Sequence, residues 1–214
     1  MTNFIPVFPL NIVVYPGEVL NLHIFEPRYK QMVQECMAEK KPFGIPPVVE
    51  KDLRELGTLI EITELAKEYP NGEMDIRTRG VSVFRILHRM DAIPDKLYSG
   101  AIVTYPDNVT EAGDTVLARN IVGEVRRLYD LLNVSEKFPA GREVMLSYEL
   151  AHLVGLSLDQ EYELLGIFTE LQRLEYLRRH LNAIVPVIKE LEHIKERIQR
   201  NGHFRDLSLG DLNL

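Results

Sequence analysis

The segment from Phe8 to Met37 constrains the fold most, because it combines the period of a β-strand with that of a helix. Val19–Phe25 alternates apolar and polar side chains, which predicts a strand with one buried face. Pro16-Gly17 precedes it and predicts a turn, since proline fixes φ and glycine accepts a positive φ. Pro27 begins a helix whose apolar residues recur on one face: Tyr29, Met32, Val33, Cys36 and Met37.

Short strand-like runs continue as far as residue 105. The runs that predict strands are 4–10, 12–15, 43–49, 58–66, 74–79, 81–87 and 100–105. The first of them contains two prolines, which cannot donate to a strand ladder, so we expect it at an edge of the sheet. Many short strands with one early helix predict a closed or nearly closed antiparallel barrel.

Local signals predict how some of these strands are interrupted or joined. Pro46-Pro47 interrupts the strand of 43–49, and the charged residues 50–55 predict a loop. Pro70-Asn71-Gly72-Glu73 predicts a hairpin with a type I′ turn, because Asn-Gly tolerates the positive φ values of that turn. Gly80 predicts a β-bulge or the close approach of another backbone.

The second half of the chain has a helical period, and residues 106–114, rich in proline, glycine and small polar side chains, predict the boundary. The predicted domains are 1–106, 115–200 and a C-terminal tail at 201–214. The first helix of this half carries an apolar stripe: Leu117, Ile121, Val125, Leu128 and Leu132. A second helix is predicted over 143–154, and Ser157 with Gln160 predicts the capping box of a third.

The longest predicted helix runs from about Glu170 to about Arg200 and passes through Pro186. Its apolar residues are spaced alternately three and four apart: Leu174, Leu177, Leu181, Ile184, Ile188 and Leu191. This seam has two interpretations. It can pack on other helices of the same chain, or it can pair two copies as a coiled coil or dock a partner.

Several of these segments together resemble the LON substrate-binding domain, the N-terminal domain of Lon proteases, in its free-standing form. The longest matching run is Leu22-His23-Ile24-Phe25-Glu26-Pro27-Arg28-Tyr29. Shorter matches are Phe8-Pro9-Leu10, Tyr15-Pro16-Gly17, Phe43-Gly44, Leu56-Gly57-Thr58, Arg79-Gly80-Val81 and Phe84-Arg85-Ile86. The resemblance implies an α+β fold, with an N-terminal antiparallel β-barrel-like (PUA-like/LON) half followed by a C-terminal helical bundle with one long helix. It also implies a binding role without proteolysis.

Composition narrows the classes of partner. A net charge of −7 argues against general binding to a nucleic-acid backbone, which needs a cationic surface. No apolar run approaches the roughly 20 residues of a membrane helix, and the N-terminus lacks the cationic start of a signal peptide. We therefore expect a cytoplasmic location and no membrane partner. The single cysteine, Cys36, excludes an internal disulfide and a multi-cysteine zinc site.

Motifs for catalysis and cofactor binding are absent from the sequence. The phosphate loop GxxxxGK[ST] requires a Gly-Lys pair, and the chain has none. GxSxG, HExxH and GxGxxG are missing too, and no two of the six histidines have the i, i+4 spacing of a helical metal pair. Cys36 lies on the apolar stripe of its helix, which favours a buried thiol over a nucleophile. We expect no enzyme activity, no cofactor and no metal.

Four residues are candidate contacts for a polypeptide: His23, Arg28, Arg77 and Arg79. His23 belongs to the family-like run, although a structural hydrogen bond is an alternative role. Glu26 and Arg28 can instead fix the corner between strand and helix. Arg77 and Arg79 make a short cationic row that suits acidic polypeptide or nucleic acid, with a simply solvated row as the alternative.

The leading hypothesis is non-catalytic recognition of protein substrates or unfolded polypeptide, as an adaptor or a holdase-like binder. Its partners would be other polypeptides, either unfolded segments or members of a protease or chaperone system. An edge of the barrel, or the cleft between the barrel and the helical bundle, could supply apolar pockets and backbone pairing for them. The alternatives are a scaffold that forms a homodimer through the long helix, a nucleic-acid-binding barrel, which the acidic charge disfavours, and a hydrolase without a recognised motif.

Overall fold

The computed structural model describes residues 3–110 and 114–207, with side chains described as far as Arg200. The chain forms two compact units, each of them discontinuous in sequence. The first comprises Met1–Gly113 and Leu146–Arg173, and the second comprises Asp114–Met145 and Leu174–Leu214. The predicted domain of 115–200 includes residues 146–173, which the structure groups instead with the strands of the first unit.

The strands, all in the first unit, are β1 (Asn3–Pro6), β2 (Val19–Ile24), β3 (Phe43–Ile45), β4 (Val48–Val49), β5 (Asp52–Leu53), β6 (Leu56–Glu68), β7 (Met74–Met90) and β8 (Gly100–Thr104). The helices are α1 (Pro27–Glu39), α2 (Thr115–Leu131), α3 (Ser147–Leu150), α4 (Leu158–Leu165) and α5 (Glu170–Leu207). Two short 3-10 segments lie at Ser135–Lys137 and Ala151–Leu153.

The main sheet is antiparallel and has the order β1-β8-β7-β6-β3, with β2 also paired to β7. Strand β2 pairs with the first part of the long strand β7, and β8 pairs with its last part. The proline-containing strand β1 lies at the edge, as predicted. At the two ends of the sheet, the segments that carry β1 and β3 meet at two isolated parallel bridges, Val7 with Gly44 and Leu10 with Pro47. The α+β class with an antiparallel sheet is confirmed, whereas a closed barrel is not shown.

Residues 12–15 do not form the predicted strand; they form a loop that is buried at residues 13–15. Val13, Val14 and Tyr15 are almost completely buried. The Val14 carbonyl accepts a hydrogen bond from the Thr58 hydroxyl, which ties the loop to β6. Branched and aromatic residues favour strands largely because they suit buried pleated surfaces, and here the burial occurs without strand pairing.

Gly80 lets this loop lie directly on the sheet. A β-carbon at Gly80 would be only 2.2 Å from the Tyr15 carbonyl oxygen. The register between β6 and β7 also shifts at this point, where Leu59 pairs with Ser82 but Ile60 pairs with Gly80. Both features predicted for this glycine, a bulge and a close backbone approach, are confirmed.

Two hairpins differ from the turns that the sequence predicts. At residues 50–55 the predicted loop is wrong: β4 and β5 pair across Glu50 and Lys51, whose φ angles of 51° and 75° suit a two-residue I′ turn. In the β6–β7 hairpin, Gly72 has φ 75°, and its amide donates to the Tyr69 carbonyl. Asn71 keeps a negative φ. The hairpin is confirmed, but its turn is a three-residue loop with a glycine bulge instead of type I′.

Helix α1 covers one face of the sheet and begins at Pro27, as predicted. Its buried residues are those of the predicted stripe: Tyr29, Met32, Val33 and Cys36. They share a core cluster with residues of the strands: Ile24, Phe43, Ile45, Ile60, Met74 and Ile76. Ile24 at the end of β2 lies in this core. Because side chains alternate along a strand, Val19, Asn21 and His23 face outward.

The helix predicted over 143–154 is present only in part, over residues 147–153. Only α3 and the 3-10 segment Ala151–Leu153 are helical there, although Met145, Leu150 and Val154 are buried. In a single helix these apolar residues would point to several sides. The shorter helical segments and the irregular backbone around them bury these residues instead. By contrast, α4 begins with the predicted capping box, in which the Gln160 amide donates to Ser157 Oγ.

In the second unit, α2 is capped by Asp114, whose side chain accepts hydrogen bonds from the amides of Val116 and Leu117. Its buried face consists of Ala118, Ile121, Val122, Val125 and Leu128. Leu132, the last member of the predicted stripe, follows the helix and is exposed.

Helix α5 is a single helix that contains Pro186 at an exposed position, as predicted. The predicted seam is buried along its first half, at Leu174, Leu177 and Leu181. Residues 201–207 continue the helix and do not form a separate tail, and residues 208–214 lie outside the described part of the chain.

Candidate functional site

Strands β2 and β7 bring three of the four predicted contact residues onto one exposed face. The register places Val19 opposite Arg79, Asn21 opposite Arg77 and His23 opposite Asp75. Because side chains alternate along a strand, His23, Arg77 and Arg79 point to the same side of the sheet. Arg28 lies on α1 and is not part of this face.

His23 is held by acidic and aromatic neighbours. Its Nδ1 lies 2.7 Å from Asp75 Oδ1, and its Nε2 lies 3.4 Å from Glu73 Oε2. The hydrogen bond from His23 holds the pKa of Asp75 below its usual value, and the Tyr69 hydroxyl donates a second bond to the same carboxylate. The ring of His23 also stacks on Phe25, with 6.0 Å between centroids. The structural hydrogen bond expected as an alternative role is thus present, and contact with a polypeptide stays a prediction.

Arg77 and Arg79 do not form an uncompensated cationic row. Arg77 Nη1 lies 2.8 Å from Glu64 Oε2 on the neighbouring strand. Arg79 is exposed, and the strand register places Glu61 opposite it on β6. This face therefore carries alternating charges, which suits a polar polypeptide better than a polyanion.

Arg28 stabilises the corner between β2 and α1. Its guanidinium lies 2.7 Å from Glu26 Oε2 and 4.5 Å from the centre of the Tyr29 ring. Glu26 occupies the N-cap position of α1, but its side chain makes no capping hydrogen bond. The pair thus fixes the corner through its own ion pair, and a role of Arg28 in binding stays a prediction.

Strand β2 has one backbone edge without a strand partner. It pairs with β7 in an unbroken register, and no other strand of the described residues pairs with it. Val19 and Phe25, at the two ends of this edge, are 59% and 58% exposed. We call this feature the β2 edge. It comprises the unpaired backbone side of β2 and the outward side chains of Val19, Asn21, His23 and Phe25. Such an edge can accept an extended polypeptide as an additional strand.

Strand β6 also has an open stretch beyond its pairing with β3, but features that hinder further pairing protect it. The register with β7 shifts between Ile62 and Glu64 and again between Leu65 and Lys67. Four charged residues occupy the same stretch: Glu61, Glu64, Lys67 and Glu68. Bulges and charges are the usual means by which proteins prevent edge pairing, and the β2 edge has no bulge.

A polar cluster that sequence reasoning missed lies at the start of β2. His152 Nδ1 lies 2.7 Å from Glu161 Oε1, and its Nε2 lies 3.2 Å from Glu18 Oε2. The Tyr15 amide donates to the same Glu18 oxygen at 2.9 Å. The hydrogen bond with Glu161, followed by that with Glu18, raises the pKa of His152 to about 10. Glu18 and His152 are 134 positions apart, so no local pattern in the sequence indicates their contact.

A cavity of about 370 Å³ adjoins this cluster. Its lining is apolar in part and includes Pro16, Val81, Leu146 and Tyr148. Glu18 also lines it and directly precedes Val19, so the cavity lies beside one end of the β2 edge. An apolar side chain of a segment bound at that edge can enter a cavity of this size and lining.

A second polar network, whose charged members are buried, has a structural role. Arg173 Nη2 lies 2.9 Å from Glu170 Oε2, and its Nε donates to Ser147 Oγ at 2.8 Å. The Ser147 hydroxyl donates to the same Glu170 oxygen at 2.6 Å, and Arg173 Nη1 donates to Asn108 Oδ1 at 2.8 Å. Because both charges are paired and hydrogen-bonded, this network holds α3 and the start of α5 together.

Cys36 is not an accessible nucleophile. Its side chain lies on the buried face of α1, and burial raises the pKa of its thiol to about 11. A thiol with such a pKa carries very little thiolate at neutral pH. Among the described residues, no group of three or more His, Cys, Asp or Glu side chains is arranged to hold a metal ion.

The model of the ATP-dependent protease La (LON) substrate-binding domain matches residues 5–183. The chain belongs to this family. The resemblance seen in the His23–Tyr29 run is thereby confirmed, and the matched model is that of a substrate-binding domain and not of an ATPase or peptidase domain.

Among curated proteins, Lon protease 1 of Hydrogenovibrio crunogenus is 22% identical to this LON-family chain over 210 residues. The match covers 89% of this chain but 25% of that protease. The chain thus spans about a quarter of the length of this relative.

Two solved structures have the same fold. The Lon N-terminal domain protein from Xanthomonas campestris matches with a TM-score of 0.62 and 24% identity, covering 83% of this chain and 98% of that one. The N-terminal domain of the Mycobacterium avium complex Lon protease matches with a TM-score of 0.58 and 18% identity, covering 84% and 98%. Of the helices in the described residues, none is long and apolar enough to cross a membrane.

Proposed function

We propose that this chain recognises polypeptides without acting on them chemically, as an adaptor or a holdase-like binder of extended or unfolded segments. Membership of the LON substrate-binding family supports a polypeptide as the ligand. The partners are exposed segments of other proteins, which the chain holds for a protease or chaperone system in the cytoplasm.

The observation that carries this proposal is the β2 edge. Its backbone is regular over six residues and lacks a second strand partner in the described sheet. A segment that pairs with it gains main-chain hydrogen bonds that do not depend on sequence. Val19 and Phe25 supply apolar contacts at the two ends, and the cavity lined by Val81 and Tyr148 receives a side chain next to Val19.

The charges on the adjoining face favour this ligand over a nucleic acid. Asp75 compensates His23, and Glu64 compensates Arg77. Binding at such a face depends on apolar contact and backbone pairing, so it should persist when salt is added. Binding of a nucleic acid would instead weaken steeply with salt, because it releases counterions.

The test is fluorescence anisotropy with a labelled, permanently unfolded polypeptide, titrated with the full chain at low and at moderate salt. We expect saturable binding that changes little with salt. The same polypeptide with N-methylated alternate amides should bind about tenfold more weakly, since it cannot complete a strand ladder. Absence of binding by the unmodified polypeptide would contradict the proposal.

Matched variants locate the site. Phe25→Asp and Val19→Asp each remove an exposed apolar contact and should weaken binding by about tenfold. Leu97→Asp is the control, because Leu97 is 65% exposed and lies outside the β2 edge. Equal effects of Leu97→Asp and Phe25→Asp would show that binding does not occur at this edge.

A further inference from the structure

The last part of α5 carries an apolar stripe that no described residue covers. Val187, Leu191, Ile194 and Ile198 are 57%, 58%, 43% and 66% exposed. Their spacing of four, three and four residues places all of them on one narrow side of the helix. We call these residues the 187–198 stripe. Its length is about 17 Å at 1.5 Å per residue.

The spacing of this stripe is the same in both directions along the helix. A second copy of α5 running the opposite way would therefore place Leu191 beside Ile194 of the other helix, and Val187 beside Ile198. Antiparallel packing of this kind follows a twofold axis, which is the commonest symmetry of protein dimers. Spacings of three and four residues are also those of coiled-coil contacts.

The charged residues beside the stripe are complementary in the same arrangement. Glu190 and Arg197 are seven residues apart, so both lie on the same flank of the stripe. Both are exposed, and neither makes an ion pair among the described residues, whereas Lys195 on the other flank is paired with Glu192. In an antiparallel pair these flanks meet, so each Glu190 lies near Arg197 of the other copy.

We propose that the 187–198 stripe is a self-association surface, which pairs with the same stripe of a second copy of this chain in antiparallel orientation. The pair buries four apolar side chains from each helix and forms two symmetric contacts between Glu190 and Arg197. A contact of this length is a weak, concentration-dependent one. It goes beyond polypeptide recognition, because it would link two β2 edges and so allow two segments of one protein to be held together.

Sedimentation equilibrium of the full chain tests the proposal. Between about 1 µM and about 1 mM, the average mass should rise from that of the 24.7 kDa monomer towards twice that value. Leu191→Asp should keep the chain monomeric, and its folding is checked by circular dichroism. Leu171→Asp, at another exposed position on α5, is the control and should associate like the unsubstituted chain.

Charge exchange tests the orientation. Glu190→Arg alone should weaken the association by about tenfold, because it brings two like charges together at both symmetric contacts. Adding Arg197→Glu should restore it. A parallel pair would not be restored, since Arg197 would then face residue 202, a glycine. A monomer at every concentration, association that survives Leu191→Asp, or failure of the double variant to recover would overturn the proposal.

Discussion

His152 connects pH to stability through two carboxylates. Its pKa of about 10 in the folded chain exceeds the value near 6.5 that an unfolded histidine has, so protonation favours the folded state. This stabilisation is complete below about pH 6.5, decreases as pH rises and is lost above about pH 10. Because the side chain is 40% exposed, solvent screening limits it to about 1 kcal/mol.

We therefore expect His152→Gln to lower the free energy of unfolding by about 1 kcal/mol at pH 6, with a smaller loss at pH 8 and none at pH 10.5. Urea unfolding of both proteins at the three pH values measures the difference. A difference that stays constant over this range would show that His152 acts through packing alone.

Gly80 should not tolerate even one methyl group. A β-carbon there would meet backbone, not a flexible side chain, at 2.2 Å from the Tyr15 oxygen. Gly80→Ala should lower the free energy of unfolding by about 1–3 kcal/mol, because the buried loop must move. Gly123→Ala is the matched control: Gly123 is exposed in α2, a β-carbon there meets nothing within 4 Å, and alanine should raise stability by about 1 kcal/mol. Equal shifts in the urea midpoint would contradict this account.

Strand alternation is a local property, so the sequence predicts which way His23 faces on β2 and that Arg77 and Arg79 share one face of β7. It predicts that His23 faces away from Leu22 and Ile24, and the structure agrees. The cluster of Glu18, His152 and Glu161 could not be predicted in this way. Its members come from a loop, a 3-10 segment and a helix that only the tertiary fold brings together.

At the level of single elements, α5 has one sequence pattern but two environments. Leu177 is completely buried, whereas Leu191, in the same three-and-four spacing, is 58% exposed. Leu177→Ala should therefore destabilise the chain by about 2–5 kcal/mol, while Leu191→Ala should change its stability by less than about 0.5 kcal/mol. Thermal unfolding at low concentration, where association is negligible, measures both. A large loss for Leu191→Ala would mean that the stripe is covered within the monomer.

Elements with strong local signals were predictable, and very short ones were not. Pro27 with the Tyr29–Met37 stripe indicates α1, and Ser157 with Gln160 indicates α4. Helix caps and apolar periodicity depend only on residues that are close in the sequence, so both are visible without the tertiary fold. Strands β4 and β5 have two residues each, which is too few to show a period. The charge of residues 50–55 consequently predicts a loop where a hairpin exists.

At the level of the whole molecule, the resemblance and the strand pattern predict the α+β fold, but not how the chain is divided. The composition change at 106–114 lies close to the real crossing between the units at Asp114. The chain re-enters the first unit at Leu146 and passes to the second unit again after Arg173, and no change in composition marks either point. They depend on long-range contacts, such as the bond from Arg173 to Asn108, which is 65 positions away.

The discontinuity of the first unit has a consequence during synthesis. Every strand of the sheet has been made by Thr104, but the residues that cover Tyr15, namely Tyr148 through its ring and Glu161 through its carbonyl, are translated later. A ribosome adds about 5–20 residues per second, so the side of Tyr15 that these residues cover stays exposed for roughly 3–12 seconds. During that interval the nascent chain is itself an incompletely folded protein with an exposed aromatic side chain, which is the kind of ligand that the finished protein is proposed to hold.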